Sequence, residues 1–196
     1  MEIELKLALD PAAASEVGKH PLLVHYRERA PRSRAVENWY VDTPALQLWR
    51  HHLELRLRRS GARHWQTLKR LPRAGGGSRA AGGLHRLEEW ELPLADSALD
   101  IAPLVSALPA ARADVAAVLR QVAAGGELGP RVHTRYRRTA WLLRSARGDL
   151  VEVALDVGEV HAGGRMLPLC ELELELKAGH EQSLFELAAE PAQRTA

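Results

Sequence analysis

Charged side chains alternate with apolar ones near both ends of this chain of 196 residues. The polar positions are Glu2, Glu4 and Lys6 near the N-terminus, and Glu171, Glu173, Glu175 and Lys177 near the C-terminus. Successive side chains of a β-strand point to opposite faces, so each set is expected on one face of a strand. Carboxylate oxygens are ligands that hard divalent cations prefer, and ammonium and guanidinium groups match phosphate oxygens. The pattern therefore indicates a site for a phosphate ligand that binds together with metal ions.

Five further alternating segments carry charge on one face. The acidic faces hold Glu89 with Glu91 and Glu152 with Asp156, and the basic faces hold Arg56 with Arg58, Lys69, and Arg135 with Arg137. For any single strand, a solvated outer face is the favoured interpretation. A solvent-facing sheet usually mixes both signs, however, whereas these charges are segregated strand by strand. Taken together, the strands predict that the charged faces line a common interior.

Alternation with a period of two dominates the sequence and predicts a mainly β protein of the α+β class. The alternating segments are 1–8, 36–42, 53–59, 64–70, 84–92, 131–143, 149–160 and 169–177. Eight strands can close into a barrel that holds one small ligand. We therefore predict a closed eight-stranded antiparallel β-barrel, or tunnel, with a charged interior and with several helices covering its apolar outer faces.

Helices are predicted between the strands. Segment 110–124 is the clearest, since it is rich in Ala and Leu and ends at two glycines, and segments 100–107 and 181–190 are shorter candidates. Asp10-Pro11 and Thr43-Pro44 each place a capping side chain before a proline, which is typical of a helix start. The Gly-rich segment 71–83 precedes a strand rather than a helix, so we interpret it as a flexible loop and not as a phosphate-binding loop.

Composition narrows the class of protein. The 27 Lys and Arg residues against 25 Asp and Glu give a net charge of +2, which excludes a strongly basic nucleic-acid-binding arm. The single cysteine, Cys170, excludes a disulfide framework, and no apolar run approaches the roughly 18 residues of a membrane span. The opening residues do not form a signal peptide, so we expect a cytoplasmic protein whose partner is a small molecule, neither nucleic acid nor membrane. The sequence leaves the oligomeric state open.

Several segments together resemble the CYTH superfamily, the triphosphate tunnel metalloenzymes. They are Glu2 to Lys6, Tyr40-Val41-Asp42-Thr43-Pro44, Leu55-Arg56-Leu57-Arg58, Thr67-Leu68-Lys69, Glu152 to Asp156 and Glu171 to Glu175, in the order of the family. Gly83-Leu84-His85 and segment 155–160 resemble the bacterial inorganic triphosphatases, in which the CYTH domain often precedes a histidine-containing α-helical (CHAD) domain. The resemblance implies a single CYTH domain over residues 1–196, with no CHAD domain in this chain.

The same resemblance implies metal-dependent hydrolysis of inorganic triphosphate (tripolyphosphate) to pyrophosphate and phosphate, with Mg²⁺ or Mn²⁺ and with two ions. The residues implied to bind phosphate are Lys6, Arg56, Arg58, Lys69, Arg135, Arg137 and Lys177. Those implied to hold metal are Glu2, Glu4, Glu152, Asp156, Glu173 and Glu175, and those implied to be catalytic are Lys6, Glu89 and Glu91.

Two alternatives stay open. The same tunnel could act on thiamine triphosphate or nucleoside triphosphates, or could cyclise ATP, although few aromatic residues fall on the inner faces to stack on a ring. A non-catalytic polyphosphate-binding module is the second alternative, although every acidic position of the pattern is present. The alternation also places two aromatic side chains on the same strand faces as charged ones: Trp65 with Lys69, and His133 with Arg135 and Arg137.

Overall fold

The barrel is built from eight strands. A computed structural model of the protein describes residues 2–72 and 84–189. The strands are β1 (Glu2–Ala8), β2 (Arg32–Asp42), β3 (Leu53–Ser60), β4 (Arg63–Arg70), β5 (Leu84–Leu94), β6 (Gly129–Arg144), β7 (Leu150–Ala162) and β8 (Arg165–Ala178). Around the barrel they follow the order β1-β5-β4-β3-β2-β6-β7-β8, and β8 pairs with β1 to close it. All neighbouring pairs are antiparallel. The predicted eight-stranded closed barrel is confirmed.

Six α-helices connect or follow the strands. They are α1 (Ala14–Val17), α2 (Pro21–His25), α3 (Gln47–Arg50), α4 (Ile101–Ala107), α5 (Ala113–Ala124) and α6 (Gln182–Ala189), with short 3-10 turns at Pro11–Ala13 and Ala110–Arg112. Asp10 caps the first of these turns as predicted, because its side chain accepts a hydrogen bond from the backbone N–H of Ala12. The helix expected at Thr43-Pro44 starts only at Gln47, since Leu46 has a φ of 54°, outside the helical region.

Two apolar clusters hold the helices against the outside of the barrel. In the first, Leu184 of α6 and Leu23 of α2 pack on outward side chains of β1, β6, β7 and β8. In the second, Leu48, Leu104 and Leu119 of α3, α4 and α5 pack on outward side chains of β2, β3 and β4. Full burial of such a leucine contributes about 1.5–3 kcal/mol. The apolar faces of the alternating strands are therefore turned outward, which leaves the charged faces inside.

Two findings complete the outline of the chain. Nearly all of the Gly-rich segment 71–83, which the sequence predicts to be a flexible loop, lies outside the described residues. None of the helices in the described ranges is long and apolar enough to cross a membrane.

Candidate active site in the barrel interior

The interior of the barrel holds a cavity of about 360 Å³ whose lining is entirely charged. Seven acidic and seven basic side chains line it: Glu2, Glu4, Glu89, Glu91, Glu152, Glu173, Glu175, Lys6, Arg34, Arg56, Arg58, Lys69, Arg138 and Lys177. They come from all eight strands, because each strand contributes the polar half of its alternation. The cavity is thus a product of barrel closure and not of any one loop.

The cations of β3 and β4 form one wall. Lys69 Nζ lies 2.5 Å from Glu2 Oε2 and 3.4 Å from Glu89 Oε2, so it bridges the two carboxylates. Arg56 Nη2 lies 3.6 Å from Glu89 Oε1, while its buried Nε makes no hydrogen bond to any described residue. Arginine forks and lysine ammonium groups both match phosphate oxygens, so this wall can bind a phosphate chain.

The carboxyls of Glu2 and Glu89 share a hydrogen bond and have pKa values that diverge. Burial and the hydrogen bond to Glu2 raise the pKa of Glu89 to about 7. Burial also acts to raise the pKa of Glu2, but its hydrogen bond with Glu89 and the charge of Lys69 outweigh burial and lower it. Two adjacent carboxylates repel each other, so the second carboxyl of such a pair ionises only at higher pH and the pair retains one proton until then. Near neutral pH, Glu89 can therefore release or accept a proton.

An acidic group on β7 and β8 forms the opposite wall. Ligand oxygens of Asp156, Glu171 and Glu173 lie within 4.8 Å of one another. Arg138 donates from Nε to Asp156 Oδ1 over 2.8 Å and from Nη2 to Glu173 Oε2 over 2.5 Å. Burial would raise the pKa of Glu173, but the charges of Arg138 and Lys6 hold it at about 2. Burial and the charge of Glu173 raise the pKa of Glu171 to about 7.

A second acidic row runs across three strands at one level of the barrel. Glu175 of β8 is the register partner of Glu4 on β1 and of Glu152 on β7. Like charges directly opposite each other destabilise a sheet unless a cation lies between them. Burial raises the pKa of Glu4, although the charge of Lys6 opposes the rise. Carboxylates in adjacent register positions supply the oxygen ligands that a hard divalent cation prefers.

The structure brings together twelve of the residues singled out in the sequence as members of one cavity. They are Glu2, Glu4, Lys6, Arg56, Arg58, Lys69, Glu89, Glu91, Glu152, Glu173, Glu175 and Lys177. Asp156 is buried on the same inner face, beneath Arg138. Their individual roles stay predictions.

The placement of Arg135 and Arg137 inside the barrel is wrong. Both are exposed, and Arg135 Nη2 lies 3.5 Å from Glu159 on the outer surface. Arg138 occupies the inner face instead. Because β6 has polar residues on both faces between 131 and 139, the alternation there does not show which face points into the barrel. His133 shares the outer face, where it stacks on Trp39 with ring centroids 5.0 Å apart.

Three inner residues were missed: Arg34 and Arg138, which line the cavity, and Asn38, which lies buried between Arg58 and β6. Alternation placed Glu171 on the charged face of β8 without a role in the site, and the structure adds Glu171 to the acidic group. Trp141 could have indicated the position of Arg138. It belongs to the outer apolar cluster, so the odd-numbered residues of β6 face outward and the even-numbered ones, including Arg138, face inward.

Comparisons with known proteins identify the family. Residues 1–195 match the family model of the CYTH domain. The chain belongs to the CYTH family. It is also similar to the inorganic triphosphatase of Haemophilus influenzae, with 30% identity over 186 residues, which cover 94% of this chain and 47% of that protein. The chain thus spans about half the length of this curated relative.

Solved structures share the CYTH fold with this chain. One is a candidate adenylyl cyclase from Hippeastrum with a dominant triphosphatase activity, at a TM-score of 0.58 and 21% identity, covering 97% of this chain and 87% of that one. Another is a candidate adenylate cyclase from Bacillus halodurans, at a TM-score of 0.57 and 20% identity, covering 97% of this chain and 89% of that one. At these identities the similarity establishes the fold of the barrel and not its substrate.

Proposed function

We propose that this CYTH protein hydrolyses inorganic tripolyphosphate to pyrophosphate and phosphate inside its barrel, with Mg²⁺ or Mn²⁺. The observation that carries the proposal is the cavity itself, in which seven basic side chains face seven acidic ones. A monophosphate would leave most of these cations unused, whereas a linear triphosphate would engage cations along the cavity. The related inorganic triphosphatase of Haemophilus influenzae supports the same substrate class.

The basic wall would bind the phosphate chain. Arg56 has a buried Nε with no partner among the described residues, and Arg58 has a neutral partner rather than a carboxylate. Lys6, Lys69 and Arg138 are each bound to carboxylates, which fixes their positions for contact with phosphate oxygens. Such preorganised cations stabilise charge on a transferring phosphoryl group without rearrangement.

The acidic residues would hold two divalent cations. Glu4, Glu152 and Glu175 form one set of carboxylates, and Asp156, Glu171 and Glu173 form the other, with Glu2 beside the first. When bound, such ions neutralise phosphate oxygens and lower the pKa of the attacking water.

We assign to Glu89 the role of taking the proton of that water. Its pKa of about 7 matches neutral pH, where a general base is most effective. Lys69 lies 3.4 Å from its carboxylate and would keep it oriented toward the basic wall. Glu91 accepts a hydrogen bond from Thr67 Oγ1 over 3.1 Å and would fix the part of β5 next to Glu89.

A phosphate-release assay tests the proposal. We expect rapid turnover of tripolyphosphate with Mg²⁺ or Mn²⁺, abolished by a chelator. Arg56→Ala should lower kcat/KM by about 100-fold or more, as expected for loss of a group that stabilises transition-state charge. Arg59→Ala is the matched control, because Arg59 lies on the same strand but is exposed and bonded to Glu37 on the outer face. Tight binding of tripolyphosphate without turnover under any metal would instead make the protein a polyphosphate-binding module.

One observation favours a second candidate substrate. Trp65 lies on the inner face of β4, in register with Arg58, where a ring attached to a triphosphate could stack. Thiamine triphosphate and ATP therefore belong in the same assay. A kcat/KM for either that exceeds the value for tripolyphosphate, and that falls in Trp65→Ala, would replace the inorganic substrate.

A further inference from the structure

Asn38 is an uncharged residue placed among the charges of the barrel interior. It lies in the middle of β2, in register with Arg58 on β3 and with Thr134 on β6, and only 1% of it is exposed. Its Oδ1 accepts a hydrogen bond from Arg58 Nε over 2.9 Å. Its Nδ2 donates to Thr134 Oγ1 over 3.0 Å and to Tyr136 OH over 3.2 Å. With both ends of the amide bonded, the orientation of the side chain is fixed.

The partner of Arg58 differs in charge from those of the neighbouring cations. Lys6, Lys69 and Arg138 each lie 2.7 Å or less from a carboxylate oxygen. Within the described residues, Arg58 makes no ion pair, and Asn38 is its hydrogen-bond partner. Burial lowers the pKa of Arg58, and the like charges of Arg56 and Arg138 act in the same direction. Arg58 is therefore a partly buried cation that forms no direct ion pair with a carboxylate of the described residues.

The hydrogen bond uses only one of the nitrogens of Arg58. Asn38 engages Nε, and the two terminal nitrogens of Arg58, which lines the cavity, make no hydrogen bond to a described residue. Such terminal nitrogens can bind a phosphate in a bidentate manner. A carboxylate at position 38 would hold the Nε nitrogen but would also neutralise the guanidinium. An amide holds it and leaves its charge for a ligand.

We propose that Asn38 is a positioning residue, which orients Arg58 toward the phosphate chain while keeping its charge available. This inference rests on the proposed function, in that the ligand is a phosphate chain. Asn38 is not among the residues that line the cavity, so its effect on affinity would be exerted through Arg58.

Asn38→Asp is the decisive variant because it preserves shape. The hydroxyls of Thr134 and Tyr136 can rotate to donate to the new carboxylate, so the fold should be retained. We expect the dissociation constant and the KM for tripolyphosphate to rise by at least about tenfold, the effect of losing a charge-assisted contact, with kcat changed much less. The melting temperature should equal or exceed that of the wild type, since a new ion pair forms inside the barrel.

A double-mutant cycle separates positioning from a merely structural role. In an Arg58→Ala background, Asn38→Asp should have little further effect on the dissociation constant for tripolyphosphate, because the residue it acts through is gone. Affinity equal to that of the wild type in Asn38→Asp, or the same loss with and without Arg58, would overturn the inference.

A measurement without substrate keeps this test distinct from that of the proposed function. The side-chain Nε–H signal of Arg58 in a ¹⁵N NMR spectrum should be sharp and slow to exchange in the wild type and in Asn38→Asp, and broadened in Asn38→Ala. A wild-type protein that does not bind tripolyphosphate overturns the proposed function. An Arg58 signal that is unchanged in Asn38→Ala overturns the positioning role whatever the ligand is.

Discussion

The ammonium group of Lys6 lies 2.7 Å from Oε1 of Glu173, and the two residues are register partners across the pair of strands that closes the barrel. Burial acts to lower the pKa of Lys6, but the charges of Glu173 and Glu4 outweigh it and raise the pKa. The pKa of Glu173 is held at about 2 by Arg138 and Lys6 against the effect of burial. Both partners are thus charged at neutral pH. The pairing of β8 with β1 therefore closes the barrel and also brings these charges together in the cavity.

Removal of the Lys6 charge should weaken this closure. Lys6→Met keeps the length of the side chain but removes the cation beside Glu4 and one of the two cations bound to Glu173, the other being Arg138. Since the Lys6 side chain is 37% exposed, we expect a loss of about 1–2 kcal/mol in the free energy of unfolding, less than for a fully buried pair. For a chain of this length, calorimetry should show a fall in Tm of about 2–8 °C. Lys19→Met breaks the exposed pair of Lys19 with Glu16 and should leave Tm unchanged. A Tm for Lys6→Met equal to that of the wild type would contradict the prediction.

Arg138 should be sensitive even to a conservative change. Its guanidinium bonds both Asp156 and Glu173, a geometry that a lysine ammonium cannot reproduce. We expect Arg138→Lys to lower Tm and, under the proposed function, to lower kcat/KM by at least about tenfold. The matched change in the exposed neighbour, Arg137→Lys, should alter neither. Calorimetry and phosphate release on the two variants test the inner face of β6, and greater harm from Arg137→Lys would reverse that assignment.

The fold could be predicted because alternation is strong in most strands. In β1 and β8 every second residue is apolar, so the face of each carboxylate follows directly, and the cavity includes Glu4 and Glu173 as expected. The outer apolar cluster contains the intervening residues Leu5 and Leu174. Where the two faces of a strand differ sharply in polarity, the sequence alone determines which side chains enter the barrel.

The remaining positions depend on information that alternation does not carry. β2 begins at Arg32, ahead of the apolar alternation at Val36, so the alternation does not predict Arg34 as a strand residue. In β6 both faces are polar near Arg137, so its parity is set only by Trp141, several residues away. The role of Asn38 arises from its register with a neighbouring strand, which only the closed barrel defines.

A side chain at Gly158 of β7 should destabilise the protein. It lies opposite Tyr136 of β6, and a Cβ there would overlap the backbone oxygen of Arg135 and lie 2.5 Å from the Cα of Tyr136. Because backbone must move to make room, we expect Gly158→Ala to cost about 1–3 kcal/mol of stability. Gly18→Ala, whose Cβ would meet the ring of Trp141 at an ordinary 3.4 Å, is the control. Thermal unfolding compares the two, and a Gly158→Ala protein as stable as Gly18→Ala would show that β6 and β7 can separate freely.

The crowded carboxyls predict how stability depends on pH. Burial and the hydrogen bond with Glu2 raise the pKa of Glu89 to about 7, and burial and the charge of Glu173 raise the pKa of Glu171 to about 7. Both values exceed the ordinary 4.5 of a glutamate. Between pH 4.5 and about 7, Glu89 and Glu171 bind more protons in the folded protein than in the unfolded chain, so these two groups lower stability as pH rises. The pKa of Glu173, about 2, acts in the opposite sense, and its contribution is lost as pH falls from about 4.5 toward 2.

The metal-free protein should therefore be most stable near pH 5 and should lose several degrees in Tm by pH 8. Calorimetry in the presence of a chelator, from pH 3 to pH 8, measures this curve. Glu89→Gln and Glu171→Gln should each flatten the decline above pH 5, because a neutral amide has no proton to lose. Under the proposed function, Mg²⁺ should raise Tm more at pH 8 than at pH 5, since protons and metal compete for the same carboxylates. A Tm that stays level or rises between pH 5 and pH 8 without metal would show that these carboxyls ionise independently of folding.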